Sequence, residues 1–238
     1  NREINLQIFG KQQRSRACTG QIHALRKKIK AKLYEFIQQF KIDVLVAENC
    51  LTIPMHVPLG LALTEVIAET GIPTIAHHHD FFWERDRFAL NAVPEFIQMA
   101  FPPRLQFVRH VVINTAAQEQ LAYRAGCSST IIPNVVDFDV PPPAIDAYSS
   151  TFRKDIGLKT DDVLILQPTR LVSRKGIEHA VELVRRLGEK KYKLVVSHDA
   201  GDEGFEYQNF LMEYAASVGV NLHLVSRRLA EKRTEDSA

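Results

Sequence analysis

The stretch at residues 164–178, LILQPTRLVSRKGIE, decides how this chain folds. It opens on a short apolar run, which is typical of a strand buried in a parallel sheet. A polar loop follows, and from Gly176 onward the sequence GIEHAVELVRRLG places apolar residues at helical spacing. The segment therefore predicts a strand, a loop and a helix in that order. In open α/β sheets, ligands bind beyond the carboxyl ends of the strands, which is where this loop would lie.

Two cations in that loop, Arg170 and Lys175, are candidates for binding an anion. A helix that begins just after them supplies unpaired N–H groups and the positive end of its dipole. Arginine offers a planar fork of donors and lysine a compact charge, and both suit phosphate oxygens. We predict that the pair clamps a phosphate or a diphosphate. The alternative is that both are solvated loop charges, as most surface cations are.

Composition and charge place the chain among ordinary globular proteins. It has 238 residues, of which 45% are hydrophobic and 24% charged. A net charge of +2 is too small to indicate a nucleic-acid partner, and we predict none. Three separate cysteines (Cys18, Cys50 and Cys127) without a C-x-x-C pair favour a reducing compartment, and no apolar run approaches a membrane span. We therefore expect a cytoplasmic protein, although the chain starts at Asn1 without a methionine.

Predicted strands and helices alternate along the chain and are interrupted once, at DFDVPPP in residues 137–143. Strands are predicted at residues 43–47, 72–79, 110–115, 129–133, 163–166, 192–197 and 221–225, and helices at residues 19–40, 58–70, 94–100, 116–126, 150–157, 176–187 and 203–217. This alternation indicates an α/β fold with parallel, doubly wound sheets, and the stiff proline run indicates a linker. We predict two Rossmann-like lobes, residues 1–140 and 141–238, each with a helix-covered parallel sheet and both partial.

The first long predicted helix, from an expected N-cap at Thr19, is strongly basic. Its cations are Arg26, Lys27, Lys28, Lys30 and Lys32. The ordinary interpretation is a solvated outer face on a helix that covers a sheet. The alternative is contact with a membrane surface or an acidic partner, so a peripheral membrane contact stays possible. The sequence does not indicate an oligomeric state.

Three motifs in this order resemble one enzyme family. PTRLVSRKGIE resembles the R-x4-K diphosphate motif of the retaining GT-B glycosyltransferases of the group 1 (family 4) class. IIPNVVD at residues 131–137 is similar to that class's I-P-N-G-V-D segment, with Val135 in place of glycine. IPTIAHHHD at residues 72–80 is similar to the strand of that class that ends in a His-Asp or His-Gly pair. The resemblance spans about residues 43–225. The family's amino-terminal glycine loop and its E-x7-E pair do not occur in this sequence.

The resemblance implies a metal-independent enzyme that moves a hexosyl group from a nucleotide-diphosphate sugar to an acceptor with retention of configuration. The acceptor would be a carbohydrate or a small hydroxylated molecule, and no cofactor is expected. By this resemblance Arg170 and Lys175 would neutralise the departing diphosphate, and His79 would contact the transferred sugar. Further candidate substrate-binding residues are Asp80, Trp83, Asn134, Ser173 and Gly176.

Two features of residues 77–87 allow other interpretations. In a strand His77 and His79 share a face, so together with Glu48 they could bind a metal. No further histidine or cysteine lies at ligand spacing, however, and we predict no metal site. Phe81, Phe82 and Trp83 suit an acceptor sugar that stacks on a ring, but they equally suit a buried aromatic plug.

Two other functions remain open from the sequence. One is a non-catalytic nucleotide- or anion-binding module, which the missing E-x7-E pair would suit. The other is a GT-B epimerase or phosphorylase, which would share the lobes but not the observed order of I-P-N-x-V-D and R-x4-K. An E-x7-E pair downstream of residue 238 would favour the transferase.

Overall fold

The computed structural model describes residues 1–142, 144–147, 149–201 and 205–229. The chain divides into two compact units, Asn1–Asp137 and Phe138–Ala238. The division falls just before the boundary that we placed after residue 140. Pro143, the last residue of the predicted linker, lies outside the described residues.

Both units are α/β, as the alternation of the sequence predicts. The first unit contains α1 Arg2–Ile8, α2 Arg16–Phe40, β1 Leu45–Glu48, α3 Val57–Thr70, β2 Thr74–His78, α4 Pro94–Ala100, β3 Val108–Val112, α5 Thr115–Ala125 and β4 Ser129–Ile131. The second unit contains α6 Phe152–Asp155, β5 Val163–Gln167, α7 Ile177–Leu187, β6 Tyr192–Val196, α8 Glu206–Ser217 and β7 Leu222–Leu224.

The described strands of each unit form one parallel sheet, in which they follow one another in chain order. The first sheet has the order β1-β2-β3-β4 and the second the order β5-β6-β7. Parallel neighbours joined through helices make right-handed crossovers, so consecutive crossovers place their helices on the same side of a sheet. The described strands therefore contain no point at which the strand order reverses, which a doubly wound sheet would have.

The two faces of the first sheet are unlike. The helix-covered face includes Ala47, Ala76 and Val108, which are buried together with apolar residues of α2 and α3. Because side chains alternate along a strand, the residues between them point to the other face, here called the second face. On the second face Val46 is 64% exposed and Arg109 is exposed. Glu48, which ends β1 on this face, is exposed as well, so solvent reaches the second face along β1.

In the second unit the core lies between the sheet and helices α7 and α8. Leu194 and Val196 of β6 are buried against Ile177 and Val181 of α7 and Leu211 of α8. This packing holds the start of α7 against the end of β5, so the loop between them has a defined path.

The amino-terminal region differs from the prediction. Helix α1 has no counterpart in the sequence prediction, because seven residues are too short for a clear periodic signal. The predicted N-cap at Thr19 is wrong. Helix α2 begins at Arg16, and the Ser15 hydroxyl accepts the hydrogen bond from the Cys18 N–H at 3.0 Å. Thr19 lies in the first turn and accepts a bond from Arg14.

The basic face of α2 is not simply solvated. Lys30 pairs with Glu65 at 3.0 Å and with Glu69, both on α3, and Arg26 also binds Glu65. Tyr34 donates a hydrogen bond to Glu69 at 2.5 Å. Two of the cations that could have contacted an acidic surface therefore join α2 to α3 instead. In the described part of the chain, no helix is both long and apolar enough to cross a membrane.

Candidate functional site

The first cluster of polar side chains lies where β1 and β2 end. Glu48 is the last residue of β1 and stands in register with His77 of β2, both on the second face of the sheet. His79 follows the end of β2 and returns to the same face by alternation. Parallel strands end at the same edge, so the three side chains meet there.

The Glu48 carboxylate accepts hydrogen bonds from both imidazoles. His77 Nδ1 lies 3.0 Å from Glu48 Oε2, and His79 Nε2 binds Glu48 Oε1. The two rings are 4.7 Å apart between centroids. Partial burial acts to raise the pKa of the Glu48 carboxyl, but the bonds from the two histidines outweigh it and the pKa is lowered. The carboxylate is therefore the stable form at neutral pH.

Asn49 fixes the backbone beside this cluster. Its φ of 52° lies in the left-handed region, which asparagine tolerates better than most residues. In this conformation its N–H donates to the His77 carbonyl at 2.8 Å, and its side-chain oxygen accepts the His79 N–H at 3.0 Å. The turn after β1 thereby holds the end of β2 and the main chain of His79.

Asp80, a predicted substrate-binding residue, is engaged by protein groups. Its carboxylate accepts a bond from Asn49 Nδ2 at 3.1 Å and one from Arg85 Nε at 2.7 Å. Arg85 makes a second contact to the same oxygen through Nη2. In this arrangement Asp80 ties the loop after β2 to the turn after β1.

His78, between the two surface histidines, points into the helix-covered face. It is fully buried, its Nδ1 lies 2.6 Å from Thr52 Oγ1, and its Nε2 lies 2.9 Å from His110 Nδ1. Burial lowers the pKa of His78 to about 3, with further lowering from the neighbouring histidines, and burial lowers the pKa of His110 to about 4. Both rings are therefore neutral and serve the core.

The predicted acceptor residue Trp83 lies elsewhere in the first unit. Its ring stacks on Phe81 at 4.4 Å and packs against the apolar cluster formed with α5, while the Arg124 guanidinium lies 5.7 Å from it. Trp83 also lines a cavity of about 440 Å³ together with Gln98, Arg104 and Arg124. The structure therefore places Trp83 against the apolar cluster of Phe81, Val112 and α5.

Asn134 belongs to the segment that resembles I-P-N-G-V-D and lies beyond β4. It is exposed, as are its neighbours Val135 and Val136. The start of the segment is held by the Ile132 N–H, which donates to the Val112 carbonyl at 2.9 Å.

The loop with Arg170 and Lys175 has the predicted place between a strand and a helix. Strand β5 ends at Gln167, residues Ser173–Lys175 form a single 3-10 turn, and α7 follows Gly176. Gly176 has a φ of 58°, a conformation that favours glycine, and it lets the chain turn sharply into the helix. Ser173 and Lys175 are exposed.

Arg170 is half-buried and lies beside the loop that follows β6. A Cβ atom built on Gly201 would be 3.3 Å from Arg170 Nη1, so glycine there leaves room for the guanidinium. The backbone joins the same two loops, because the Leu171 N–H donates to the Asp199 carbonyl at 3.1 Å. The two loops at the carboxyl ends of β5 and β6 therefore form one continuous surface next to Arg170.

The start of α7 is less open than the sequence suggests. The Ile177 N–H donates to the Tyr207 hydroxyl at 2.9 Å, and that hydroxyl donates to the Glu178 carboxylate. Burial, followed by the bond to Glu178, raises the pKa of Tyr207 to about 12. One helix N–H is thus already bonded, and a carboxylate lies in the first turn. An anion at this loop would depend mainly on the cationic side chains.

Several residues of these networks are not among the site residues that the sequence predicts. From the sequence, Glu48 is predicted only as a possible third metal donor, and Asn49 and Tyr207 have no predicted role. Glu48 and Asn49 directly follow the strand predicted at residues 43–47, which is a position that could have indicated a role. Tyr207 has no such signal, because its contact with α7 depends on how α8 packs.

No family model matches the chain. It is similar to two curated relatives, both called mannosylglucosylglycerate synthase. The one from Petrotoga mobilis is 31% identical over 213 residues, which is 81% of this chain and 48% of the relative. The one from Thermotoga maritima is 34% identical over 206 residues, which is 79% of this chain and 47% of the relative.

A third relative, mannosylglucosyl-3-phosphoglycerate synthase from Petrotoga mobilis, is 30% identical over 165 residues, or 64% of this chain and 32% of the relative. The chain spans about half the length of the first two relatives. The similarity therefore concerns a part of each of these proteins.

Proposed function

We propose that the protein carrying this chain is a glycosyltransferase that uses a nucleotide-diphosphate sugar. The observation that carries the proposal is the similarity, over about four fifths of the chain, to two relatives named for the synthesis of a mannosylated glycoside. The α/β units with parallel sheets are compatible with this activity, because such sheets bind nucleotides beyond their carboxyl ends.

The names of these relatives suggest the substrates. Mannosylglucosylglycerate contains a mannosyl group, a glucosyl group and a glycerate. We propose that the donor is a nucleotide-diphosphate mannose and that the acceptor is glucosylglycerate. A carboxylate-bearing acceptor of this kind belongs to the class of hydroxylated molecules that the sequence predicts.

In the proposed reaction, Arg170 and Lys175 bind the diphosphate. The leaving group gains negative charge as the glycosidic bond to the phosphate breaks, and fixed cations stabilise that charge best in the transition state. Arg170 is held beside the Gly201 loop, so its guanidinium is already ordered at the carboxyl end of the second sheet. Lys175 is exposed and adds a second positive charge at the end of the same loop, in the turn Ser173–Lys175.

His79 is proposed to position the transferred sugar by hydrogen bonding. Its ring is half-buried and paired with Glu48, which orients the imidazole and holds a proton on the nitrogen facing the carboxylate. The reaction is proposed to proceed with retention and without a metal at the diphosphate. We further propose that the two units are the acceptor-side and nucleotide-side lobes of a GT-B enzyme.

The test uses the complete protein and a panel of nucleotide-diphosphate sugars with glucosylglycerate as acceptor. Product formation is followed by mass spectrometry, and NMR of the new anomeric proton reports retention or inversion. Arg170→Ala and Lys175→Ala should each lower kcat/KM at least about 100-fold, which corresponds to roughly 2.7 kcal/mol. Lys175→Arg should not restore the rate fully, because a planar fork does not replace a compact ammonium.

Arg174→Ala is the matched control, since Arg174 is an exposed cation of the same turn and has no proposed role. The proposal would be contradicted by a protein that binds nucleotide sugars but transfers none of them to any hydroxylated acceptor. That result would favour the non-catalytic binding module. Near wild-type turnover in both Arg170→Ala and Lys175→Ala would contradict the proposed binding of the diphosphate by these residues, but it would not contradict glycosyl transfer itself.

A further inference from the structure

The cluster of Glu48, His77 and His79 has the composition of a metal site. The donor atoms of these three residues lie within 4.8 Å of one another. We propose that the cluster binds one divalent cation of the zinc class, with the carboxylate and two imidazoles as protein ligands. This proposal concerns the first unit only and does not depend on the proposed glycosyl transfer.

The distances are close to those that a bound ion requires. Zinc lies about 2.0–2.2 Å from imidazole nitrogen and carboxylate oxygen, so two ligands in a tetrahedral arrangement are about 3.4 Å apart. His77 Nδ1 is already 3.0 Å from Glu48 Oε2, and all three donors fall within 4.8 Å. The widest separation is no more than 4.8 Å, so small changes in the side-chain torsion angles of the cluster would accompany binding of the ion.

The main-chain positions of all three ligands are fixed before any ion binds. Glu48 and His77 are paired in the parallel register of β1 and β2. The main chain at His79 is held by its hydrogen bond to Asn49. Ordered ligands increase affinity because less side-chain and backbone freedom is lost on binding.

The surroundings of the His77 ring permit ligation through Nδ1. A histidine binds a metal through a nitrogen that has lost its proton, so the proton of a neutral ring must be on the other nitrogen. In the described part of the chain the other nitrogen of His77, Nε2, is buried and has no hydrogen-bond partner. Moving the proton from Nδ1 to Nε2 therefore breaks no bond at Nε2, and the ion replaces the contact of Nδ1 with Glu48.

The ligand set selects among cations. Two imidazoles with one carboxylate suit zinc, cobalt, nickel or copper, whereas magnesium and calcium prefer oxygen ligands. Three protein ligands leave a coordination position for water or another small ligand. Glu48 is exposed and the second face is accessible near Val46, so an ion can enter from solvent.

The experiment measures binding directly. Titration calorimetry with zinc chloride on the purified protein should show one equivalent bound at the cluster, and cobalt chloride should give visible absorption bands typical of a site with nitrogen ligands. Glu48→Gln keeps the size of the side chain but removes the charge, and His79→Gln removes one imidazole. Each should weaken zinc binding at least about 100-fold, beyond the 10–100-fold loss known for residues that only support a ligand.

His179→Ala is the matched control, because His179 is an exposed histidine of the second unit. It should bind zinc as the wild type does, and a tenfold excess of magnesium should not displace the ion. Thermal denaturation of each variant without metal shows whether it is folded, and either of the two ligand variants suffices for the test. The proposal would be overturned if zinc bound the folded Glu48→Gln or His79→Gln protein as tightly as the wild type, or if no cobalt spectrum appeared.

If the proposed transferase is correct, zinc should also inhibit it, because an ion bound at Nε2 of His79 would replace the contact with Glu48 that orients the ring toward the sugar. Inhibition that disappears in Glu48→Gln would connect the two proposals. Zinc binding without an effect on transfer would retain the metal site and remove His79 from the sugar-binding residues.

Discussion

Replacing Gly60 by alanine should destabilise the first unit, although alanine is normally the better helix former. Gly60 is buried in α3, where it faces the ring of Phe101. A Cβ atom at this position would be 2.2 Å from Phe101 Cζ and 2.8 Å from two further ring carbons. Phe101 is itself only 2% exposed, so the ring cannot turn into solvent.

The magnitude follows from two opposing effects. Carbon atoms prefer separations of about 3.5–4.0 Å, so the ring or helix must move by more than about 1 Å. Overpacking of this kind costs about 1–3 kcal/mol of stability. Because Gly60→Ala creates three close contacts in a buried cluster, we expect its cost at the upper end of that range, about 3 kcal/mol. By helix propensity alone, alanine would stabilise α3 by about 1 kcal/mol relative to glycine. The free energy of unfolding should therefore fall by about 2 kcal/mol. For a urea dependence of about 2 kcal/mol per M, the midpoint of urea unfolding should fall by about 1 M.

Gly20→Ala is the matched control. Gly20 is exposed in α2 and no atom lies within 4 Å of the position that its Cβ would take, so only the propensity gain of up to about 1 kcal/mol should appear. Urea unfolding can be followed through Trp83, the single tryptophan, which reports on the first unit. Equal stabilisation by both substitutions would refute the packing argument. Partial recovery of Gly60→Ala by Phe101→Leu would support it.

Two further predictions concern polar side chains that form hydrogen bonds within one unit, His110 and Tyr207. The pKa of His110 falls to about 4 in the folded protein, whereas an unfolded histidine titrates near 6.5, so unfolding takes up a proton below about pH 6.5. As the pH falls from 7 to 5, the free energy of unfolding should therefore decrease by about 2 kcal/mol because of His110. The free energy of unfolding of His110→Gln, measured with urea, should depend less on pH. Tyr207→Phe removes the acceptor for the Ile177 N–H and should cost about 1 kcal/mol in the second unit, measured by urea unfolding followed by circular dichroism. An unchanged pH profile in the first case, or unchanged stability in the second, would contradict these assignments.

The elements of the fold could be predicted because they depend on short-range patterns. Helix α4 begins at Pro94, where the missing proline N–H costs nothing, and α3 ends at Thr70 with Gly71 as its C-cap, where a φ of 67° favours glycine. Strand ends are predicted less accurately. The predicted strand at residues 110–115 is in fact Val108–Val112, because Asn114 caps α5 and accepts the Ala117 N–H at 2.7 Å.

The pairing of side chains at the site could be predicted only in part. Alternation along one strand places His77 and His79 on the same face, and the structure confirms this. That Glu48 reaches both rings depends on the register between β1 and β2, which no local pattern specifies. The same limitation applies to Tyr207, because its bond to α7 joins residues 30 positions apart in sequence.

The three consecutive histidines, His77 to His79, have different environments because successive side chains of a strand point to opposite faces of the sheet. His78 points to the helix-covered face, where it must be neutral and bonded on both nitrogens, and Thr52 and His110 provide those partners. Its neighbours point to the second face, where one exposed carboxylate orients both rings. A polar residue in the core and two accessible imidazoles at the sheet edge are therefore produced by the same strand. Since His78 and its partners anchor that strand from within, the positions of His77 and His79 depend on the core as well as on Glu48.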